Sequence, residues 1–137
     1  MVINKVAVLI KKASLVFDKK ANPIFARYNL TSPQYKVLKY IYYQDSRTAR
    51  VVDLEEEFYM THPTAIELVN QLEKKGFVKR KVNIYDKRGK LIALTKKSDV
   101  MQKKLEKVGD EIEELLTKSL TKKERKELIK LLNKVIS

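Results

Sequence analysis

The spacing of apolar residues changes at Gly76 from a helical period to a strand period, and this change constrains the fold more than any other feature of the chain. Thr61 and Pro63 are typical of a helix start, whereas a glycine such as Gly76 is typical of a helix end. The inward face of this predicted helix, with members at i, i+3, i+4 and i+7, consists of Ala65, Leu68, Val69 and Leu72. Two β-rich stretches, 77–82 and 91–95, then flank a polar tip that contains a glycine, which predicts an antiparallel hairpin.

Two further helices are predicted shortly before this segment. The sequence Thr31-Ser32-Pro33-Gln34 is a capping box with an early proline and predicts the start of a helix. The inward residues of that helix are expected to be Tyr35, Leu38, Ile41 and Tyr42. A short helix over 51–58, capped near Thr48, is expected to leave the acidic run 55–57 in solvent. Its inward residues are expected to be Val51, Leu54 and Phe58.

Apolar stripes also mark the two ends of the chain. A first helix is predicted from near the N-terminus to about Lys19, with Asn22-Pro23 as its end or a break. Thr95 is expected to cap a long fifth helix, and Thr121 and Glu124 form a capping box for a sixth. The stripes comprise Val6, Leu9, Ile10, Ala13, Val16, Phe17, Met101, Leu105, Val108, Ile112, Leu115, Leu128, Leu131, Leu132 and Val135. A small lobe cannot bury them all, so the two ends are expected to pack on each other and on a second copy of the chain.

Together these elements predict a mostly α fold with a small β-wing, built as a single domain over residues 1–137. Two helices joined by a short turn and followed by a basic hairpin make a winged helix-turn-helix, which we expect over 31–95. A helical dimerisation region is expected over 1–20 and 99–137. The alternative is an intramolecular helix pair that leaves the protein monomeric.

The charge of the chain is concentrated in one segment. Thirty basic and 17 acidic residues give a formal charge of +13, which favours a polyanionic partner such as nucleic acid over a merely solvated, lysine-rich surface. Residues 74–97 contain ten basic residues and one acidic residue, a net charge of +9. The ten are Lys74, Lys75, Lys79, Arg80, Lys81, Lys87, Arg88, Lys90, Lys96 and Lys97. The predicted wing is therefore the most basic part of the chain.

The residue types present disfavour several classes of site. The chain has no cysteine, which excludes disulfides and cysteine nucleophiles, and with His62 as the single histidine we expect no metal site. Without a glycine-rich phosphate loop or a second histidine for a nucleophile–base pair, we expect neither an enzyme nor a cofactor. The apolar runs fall short of the roughly 20 residues of a membrane span, and no signal peptide is expected. We therefore expect no membrane partner and a cytoplasmic, nucleoid-associated protein.

The segment from Thr61 to Thr95 resembles the MarR family of regulators. The resemblance is carried, in the family's order and spacing, by Leu72-Glu73-Lys74-Lys75-Gly76, Phe77-Val78-Lys79-Arg80, Asp86-Lys87-Arg88 and Leu94-Thr95. It extends in pattern to the flanking helices and implies a dimeric, DNA-binding transcriptional regulator of a kind that often binds small phenolic effectors. Three residues depart from the family pattern: Glu55 replaces a frequent alanine, Glu67 replaces an outward polar or basic residue, and Ser98 replaces a glycine. Ser98 is expected to alter only how the fifth helix starts.

Candidate DNA contacts lie in the second helix of the motif and in the hairpin. In the helix they are Thr61, His62, Thr64 and Glu67. The first three can donate to phosphates or base edges, whereas Glu67 would repel phosphate but could accept from a cytosine amine. In the hairpin they are Lys87, Arg88 and Lys90, with Asp86 either orienting Arg88 or serving only the turn. Arg88 is expected to enter a narrow minor groove, as the resemblance also implies.

Three neighbouring basic residues, Lys79, Arg80 and Lys81, are left open at this point. Strand alternation sends some of them toward DNA and some of them away from it.

The leading hypothesis is a homodimeric, sequence-specific regulator that binds double-stranded DNA at a pseudo-palindromic operator, with half-sites about one helical turn apart. A small-molecule effector is a further partner that the resemblance allows, with tyrosines either lining its pocket or, for Tyr35 and Tyr42, packing in the core. The second hypothesis is a nucleoid-type architectural protein that coats DNA with little sequence specificity. The third is a protein-interaction module that has lost DNA binding, for which Glu67 and the run 55–57 are the supporting features.

Overall fold

The computed structural model describes residues 4–82 and 90–137, in which six α-helices and three β-strands form a mostly helical fold. In chain order the elements are α1 Val6–Ala26, α2 Ser32–Tyr42, β1 Thr48–Arg50, α3 Val51–Phe58, α4 His62–Lys74, β2 Val78–Val82, β3 Lys90–Leu94, α5 Lys96–Thr117 and α6 Lys122–Ile136. The predicted fold class, mostly α with a small β-wing, is confirmed. Residues 83–89, between β2 and β3, lie outside the described residues.

The strands form one antiparallel sheet in the order β1-β3-β2. The predicted hairpin is present, since β2 pairs with β3 from Val78 opposite Leu94 to Val82 opposite Lys90. Strand β1 was not predicted, and the expectation that Thr48 caps α3 is wrong, because Thr48 pairs with Ala93 in the sheet. Three residues are too few to show the alternation of a strand, so the sequence pattern alone could not reveal β1.

Helix α3 begins directly after β1, and Asp53 supplies the cap that Thr48 does not. The Asp53 carboxylate accepts a hydrogen bond from the backbone N–H of Arg50 at 2.8 Å and pairs with the Arg50 guanidinium at 2.8 Å. The hydrogen bond from the Arg50 side chain lowers the pKa of the Asp53 carboxyl below its usual value. Stability from this cap is therefore present above the unfolded-state pKa of Asp53 and is lost as the pH falls through the lower folded-state value.

Helix α1 extends further than its sequence predicts. It continues through Pro23 to Ala26, so the prediction that Asn22-Pro23 ends or breaks it is wrong. A proline inside a helix costs about 3 kcal/mol, because it removes one backbone donor and its ring meets the preceding turn. Burial of Ile24 and of Phe25 offsets that cost, since each large apolar side chain contributes about 1.5–3 kcal/mol.

One cluster of buried side chains contains residues of helices α1 to α5 and of the sheet. The predicted inward face of α4 is confirmed, because Ala65, Leu68, Val69 and Leu72 are all buried. In α2 the predicted Tyr35, Leu38 and Ile41 are buried, as is Val37, which was not predicted. The predicted left-handed end of α4 is also confirmed, with Gly76 at φ +83°.

The start of α5 is tied to the base of the hairpin by two side chains. Thr95 caps the helix by accepting the Ser98 N–H at 3.5 Å, and its hydroxyl donates to the Gly76 carbonyl at 2.7 Å. The buried hydroxyl of Ser98 donates to the Phe77 carbonyl. The expectation that Ser98 alters only the start of α5 is wrong, because its side chain also holds Phe77, the residue just before β2.

The outer faces of α1 and α6 remain exposed in the single chain. No residue of α6 is buried, and Leu128 and Leu132 are 41% and 38% exposed. The other exposed apolar residues of these two helices include Val6, Val8, Leu9, Ile10, Leu15, Val16, Ile129, Leu131, Val135 and Ile136. In residues 4–82 and 90–137, no helix combines the length and apolar character that a bilayer crossing requires.

The turn between α3 and α4 contains a tyrosine in a conformation that favours glycine. Tyr59 has φ 52° and ψ 44°, the left-handed region, and its side chain is 83% exposed. We expect Tyr59→Gly to raise the free energy of unfolding by about 1 kcal/mol, because it removes the Cβ clash and gives up little buried surface. Urea denaturation measures this change. The matched control is Asn29→Gly at φ 58°, which should gain less because asparagine tolerates this region. An unchanged or lower stability for Tyr59→Gly would contradict the prediction.

Candidate nucleic-acid interface

The outward face of α4 carries the helix residues that the sequence singles out. Thr61 caps the helix by accepting the Thr64 N–H at 3.4 Å, and the two hydroxyls are 2.9 Å apart. Thr61, His62, Thr64 and Glu67 are all exposed, and none of them contributes to the buried face of the helix. Exposed donors at a helix N-terminus favour an anionic partner, because the helix dipole adds positive charge there.

His62 is held by an acidic residue of α3. Its Nδ1 atom lies 3.1 Å from Oε2 of Glu55, and 65% of the histidine side chain is exposed. With Nδ1 engaged in this contact, an outside partner meets Nε2. The prediction that residues 55–57 face solvent holds for Glu56 and Glu57, which are exposed. It is wrong for Glu55, whose side chain contacts His62 and is only 23% exposed.

Glu67 belongs to a chain of polar side chains that crosses from α4 to α2. Its Oε1 atom accepts a hydrogen bond from Gln71 Nε2 at 3.2 Å. Gln71 Oε1 in turn accepts from Nε2 of Gln34 at 3.0 Å. Lys75 completes the chain, since its ammonium donates to Gln34 Oε1 at 2.8 Å. Sequence patterns did not reveal this link, because Gln34 and Gln71 are far apart in the chain.

The three basic residues that the sequence left open have different roles. Arg80 points back to α4, where its guanidinium lies 2.5 Å from a Glu73 carboxylate oxygen and 2.6 Å from Asn70 Oδ1. Only 23% of its side chain is exposed, so it fixes the hairpin to the helix. Lys79 and Lys81 are exposed on the same strand and can meet a phosphate backbone.

Two more of the clustered lysines also serve the fold. Lys75 donates to the carbonyl of Asn29 at 2.8 Å as well as to the Gln34 side chain. Lys97 donates to the carbonyl of Lys75 at 2.8 Å, and its ammonium lies 4.5 Å from the centre of the Phe77 ring. Part of the positive charge that the sequence places here therefore stabilises the helix–hairpin junction and is not available as a DNA contact.

The hairpin tip carries the remaining candidates. Asp86, Lys87 and Arg88 lie outside the described residues, so their assignments remain predictions. Lys90 is exposed at the start of β3, opposite the last residue of β2. Among the residues that the structure describes, no group of three or more histidine, aspartate and glutamate side chains is arranged to hold a metal ion.

This arrangement of helices and hairpin has relatives among known proteins. The MarR family profile matches residues 30–90. Over 116 residues the chain is 33% identical to the HTH-type transcriptional regulator MgrA of Staphylococcus aureus, a match that covers 85% of this chain and 76% of MgrA. This chain belongs to the MarR family. The resemblance first carried by the motifs between Thr61 and Thr95 is therefore confirmed, and the protein is a winged-helix transcriptional regulator.

Two solved structures share the whole fold of this MarR-family chain. A mutant of MarR from E. coli complexed with operator DNA superimposes with a TM-score of 0.87 at 28% identity, covering 96% of this chain and 94% of that one. The MepR–DNA complex of S. aureus gives a TM-score of 0.87 at 25% identity, covering 98% of each chain. The similarity includes α1, α5 and α6, so this MarR-family chain has the terminal helices as well as the winged lobe.

Proposed function

We propose that this MarR-family protein is a homodimer that binds a pseudo-palindromic operator in double-stranded DNA and thereby regulates transcription. The observation that carries the proposal is the set of exposed polar residues on α4, namely Thr61, His62, Thr64 and Glu67, together with the basic hairpin that Arg80 fixes to this helix. In this arrangement α4 enters the major groove and the wing contacts the neighbouring minor groove through Arg88. Lys87 and Lys90 add phosphate contacts, and Asp86 orients Arg88.

The proposed division of the chain follows the exposed and buried surfaces. Residues 31–95 form the DNA-binding lobe, whereas residues 1–20 and 99–137 form the dimerisation region of a single domain over 1–137. The support is the unburied apolar surface of α1 and α6, which a second copy would cover by a two-fold contact. Two relatives of the same fold, MarR from E. coli and MepR from S. aureus, are described as DNA complexes, which supports the same partner here.

The proposal also covers how the protein acts, where it works and whether it responds to a small molecule. It acts by binding and not as an enzyme, and it works in the cytoplasm on the nucleoid.

Its response to a small-molecule effector would use a cleft of about 540 Å³ between α1 and α2, whose lining includes Asp18, Ser32 and Lys36. Tyr35 has a core role instead, because it is buried and its hydroxyl donates to the Leu105 carbonyl.

Selection from a random pool of double-stranded DNA tests the proposal. A dimeric regulator is expected to enrich a two-fold symmetric motif, with binding to that motif at least about 1000-fold tighter than to random DNA. Unselective recovery with a steep salt dependence would replace the proposal by an architectural function. No binding even at low salt would replace it by a protein-interaction function.

Arg88→Ala tests the assignment of the wing. We expect it to weaken operator binding about tenfold and to reduce the slope of log affinity against log salt by about 1, since one cation near the phosphates is lost. Fluorescence anisotropy over a salt series measures both quantities. The matched control is Arg27→Ala, which removes a 61% exposed arginine at the end of α1 that pairs with Glu111. If Arg88→Ala behaves like this control, the wing assignment is wrong.

A further inference from the structure

The chain of hydrogen bonds between α2 and α4 has a fixed direction. Gln34 is 2% exposed, and its Oε1 atom accepts from two donors, the Thr31 N–H at 3.1 Å and the Lys75 ammonium at 2.8 Å. Neither donor can accept a hydrogen bond, because one is a backbone amide and the other is an ammonium group. The amide of Gln34 therefore has one orientation, in which its NH₂ group points toward α4.

This orientation sets the amide of Gln71 in turn. Because Gln34 presents an NH₂ group, Gln71 turns its Oε1 atom inward, at 3.0 Å, and directs its own NH₂ group along the helix. One N–H of that group donates to Glu67 at 3.2 Å. A primary amide carries two N–H donors and a carboxylate accepts about four hydrogen bonds, so both side chains keep capacity for an outside partner. Glu67 and Gln71 are exposed.

We infer that Glu67 and Gln71 act as one unit that reads a C·G base pair in the major groove, and that buried Gln34, by donating to Gln71, keeps the polarity that an acceptor at position 34 would reverse. The inference rests on the proposed function, since it requires α4 to lie in that groove. Glu67 and Gln71 are one turn apart on one face of α4, about 6 Å along the axis. Along the helix, the Glu67 carboxylate presents an acceptor and the Gln71 amide then presents a donor. The major-groove edge of a C·G pair presents the complement, the N4 donor of cytosine beside the O6 acceptor of guanine.

The unit also explains how a carboxylate can face DNA on this helix. A free glutamate repels phosphates, but the hydrogen bond from the Gln71 N–H stabilises the Glu67 carboxylate and holds the side chain along the helix axis. The surface beside it is an open recess of about 410 Å³ whose walls include Thr31, Pro33, Glu67 and Gln71, so a base edge can approach both side chains. Gln34 itself is a positioning residue, because it is buried beneath that recess.

The substitution Gln34→Glu tests this chain of hydrogen bonds, because it replaces only the side-chain NH₂ group of Gln34 by an oxygen. The glutamate keeps two oxygen acceptors for the Thr31 N–H and the Lys75 ammonium, and it is a usual residue at this position of a capping box. It offers no N–H to Gln71, whose amide must then turn its oxygen toward the carboxylate of Glu67. We expect wild-type protein to prefer the C·G pair about tenfold over other pairs at that position, and Gln34→Glu to lose this preference.

The measurement is the ratio of affinities for matched and single-pair-substituted operators, taken from the motif that the random pool yields. The ratio is insensitive to the added charge, because the phosphate contribution is common to both DNAs. Gln34→Leu is the uncharged comparison: Gln71 should still donate to the acceptor-only carboxylate of Glu67, so this variant should keep the preference. A thermal melt shows that each variant is folded. Glu67→Gln should lower the preference for cytosine, whereas its matched control Glu56→Gln, on the exposed side of α3, should not.

The outcomes separate this inference from the proposed function. Loss of the C·G preference in Gln34→Glu and Glu67→Gln but not in Gln34→Leu, with the motif otherwise retained, supports the inference. A two-fold motif that wild type and all three variants recover with the same base preferences overturns the inference and leaves the proposed function standing. A pool with no enriched motif overturns the proposed function and the inference with it.

Discussion

Replacing Leu128 and Leu132 together by lysine is expected to convert the dimer into a folded monomer at micromolar concentration. Both side chains are exposed in the single chain, and the proposed interface covers them. An unpaired ammonium buried at an interface costs several kcal/mol, and two-fold symmetry repeats each substitution on the other subunit. Since each 1.4 kcal/mol is a factor of ten, we expect dimerisation to weaken by at least about 1000-fold.

Sedimentation equilibrium measures this change, and circular dichroism shows whether the monomer keeps its helices. Asn133→Lys, which adds the same group at a neighbouring exposed position of α6, is the matched control and should stay dimeric. The lysines do not reduce the attraction to DNA, so any loss of operator binding follows from the loss of the second lobe. We expect that loss to exceed about 100-fold, because a monomer engages one half-site at a time. A double variant that remains dimeric would show that α6 lies outside the interface.

Gly109→Ala is expected to lower the free energy of unfolding by about 3 kcal/mol, although alanine is the better helix former by about 1 kcal/mol. A Cβ atom at position 109 of α5 would lie 2.6 Å from the hydroxyl oxygen of Tyr35. That hydroxyl donates to the Leu105 carbonyl at 3.3 Å, and the ring centre lies 4.6 Å from that of Phe25. The methyl group therefore overpacks the contact between α2 and α5 and breaks a buried hydrogen bond.

The second substitution Tyr35→Phe makes this prediction specific. It removes the oxygen that the new methyl group meets, so Gly109→Ala should destabilise the Tyr35→Phe background much less than wild type. Urea denaturation of the four proteins gives the coupling energy, which we expect to be about 2 kcal/mol in favour of the double variant. Additive effects would show that the clash is relieved elsewhere. At neutral pH the hydroxyl is protonated in every variant that has it, because burial raises the pKa of Tyr35 above its usual value.

The sequence predicts most of the winged lobe because its signals are local. The Thr61 cap, the apolar period of Ala65, Leu68 and Val69, and the left-handed Gly76 all lie within four turns of helix, and all are confirmed. Strand β1 and the last turns of α1 were missed because they depend on distant partners. β1 exists by pairing with β3, and α1 continues past Pro23 because Phe25 packs on Tyr35.

The charged residues of the candidate site also divide into those that the sequence places correctly and those whose role depends on distant partners. The sequence places a surplus of basic residues in the wing, but charge alone does not separate a DNA contact from a structural one. Arg80 differs from Lys79 and Lys81 only in the structure, where Glu73 and Asn70 hold its guanidinium against α4. Gln34 gave no functional signal beyond its capping box, since its contact partner Gln71 lies 37 residues away in the chain, on another helix.

The hydrogen bonds of Thr95 and Ser98 join the hairpin base to the first turn of α5, so we expect the two to move together. Helix α5 has 22 residues, so it is about 33 Å long and acts as a lever arm in the proposed dimer. A tilt of about 5° at its far end displaces the hairpin base by about 3 Å. That distance approaches the 3.4 Å rise of one base pair. In the proposed dimer, small rearrangements among α1, α5 and α6 would thus be amplified into a change in the spacing of the two α4 helices.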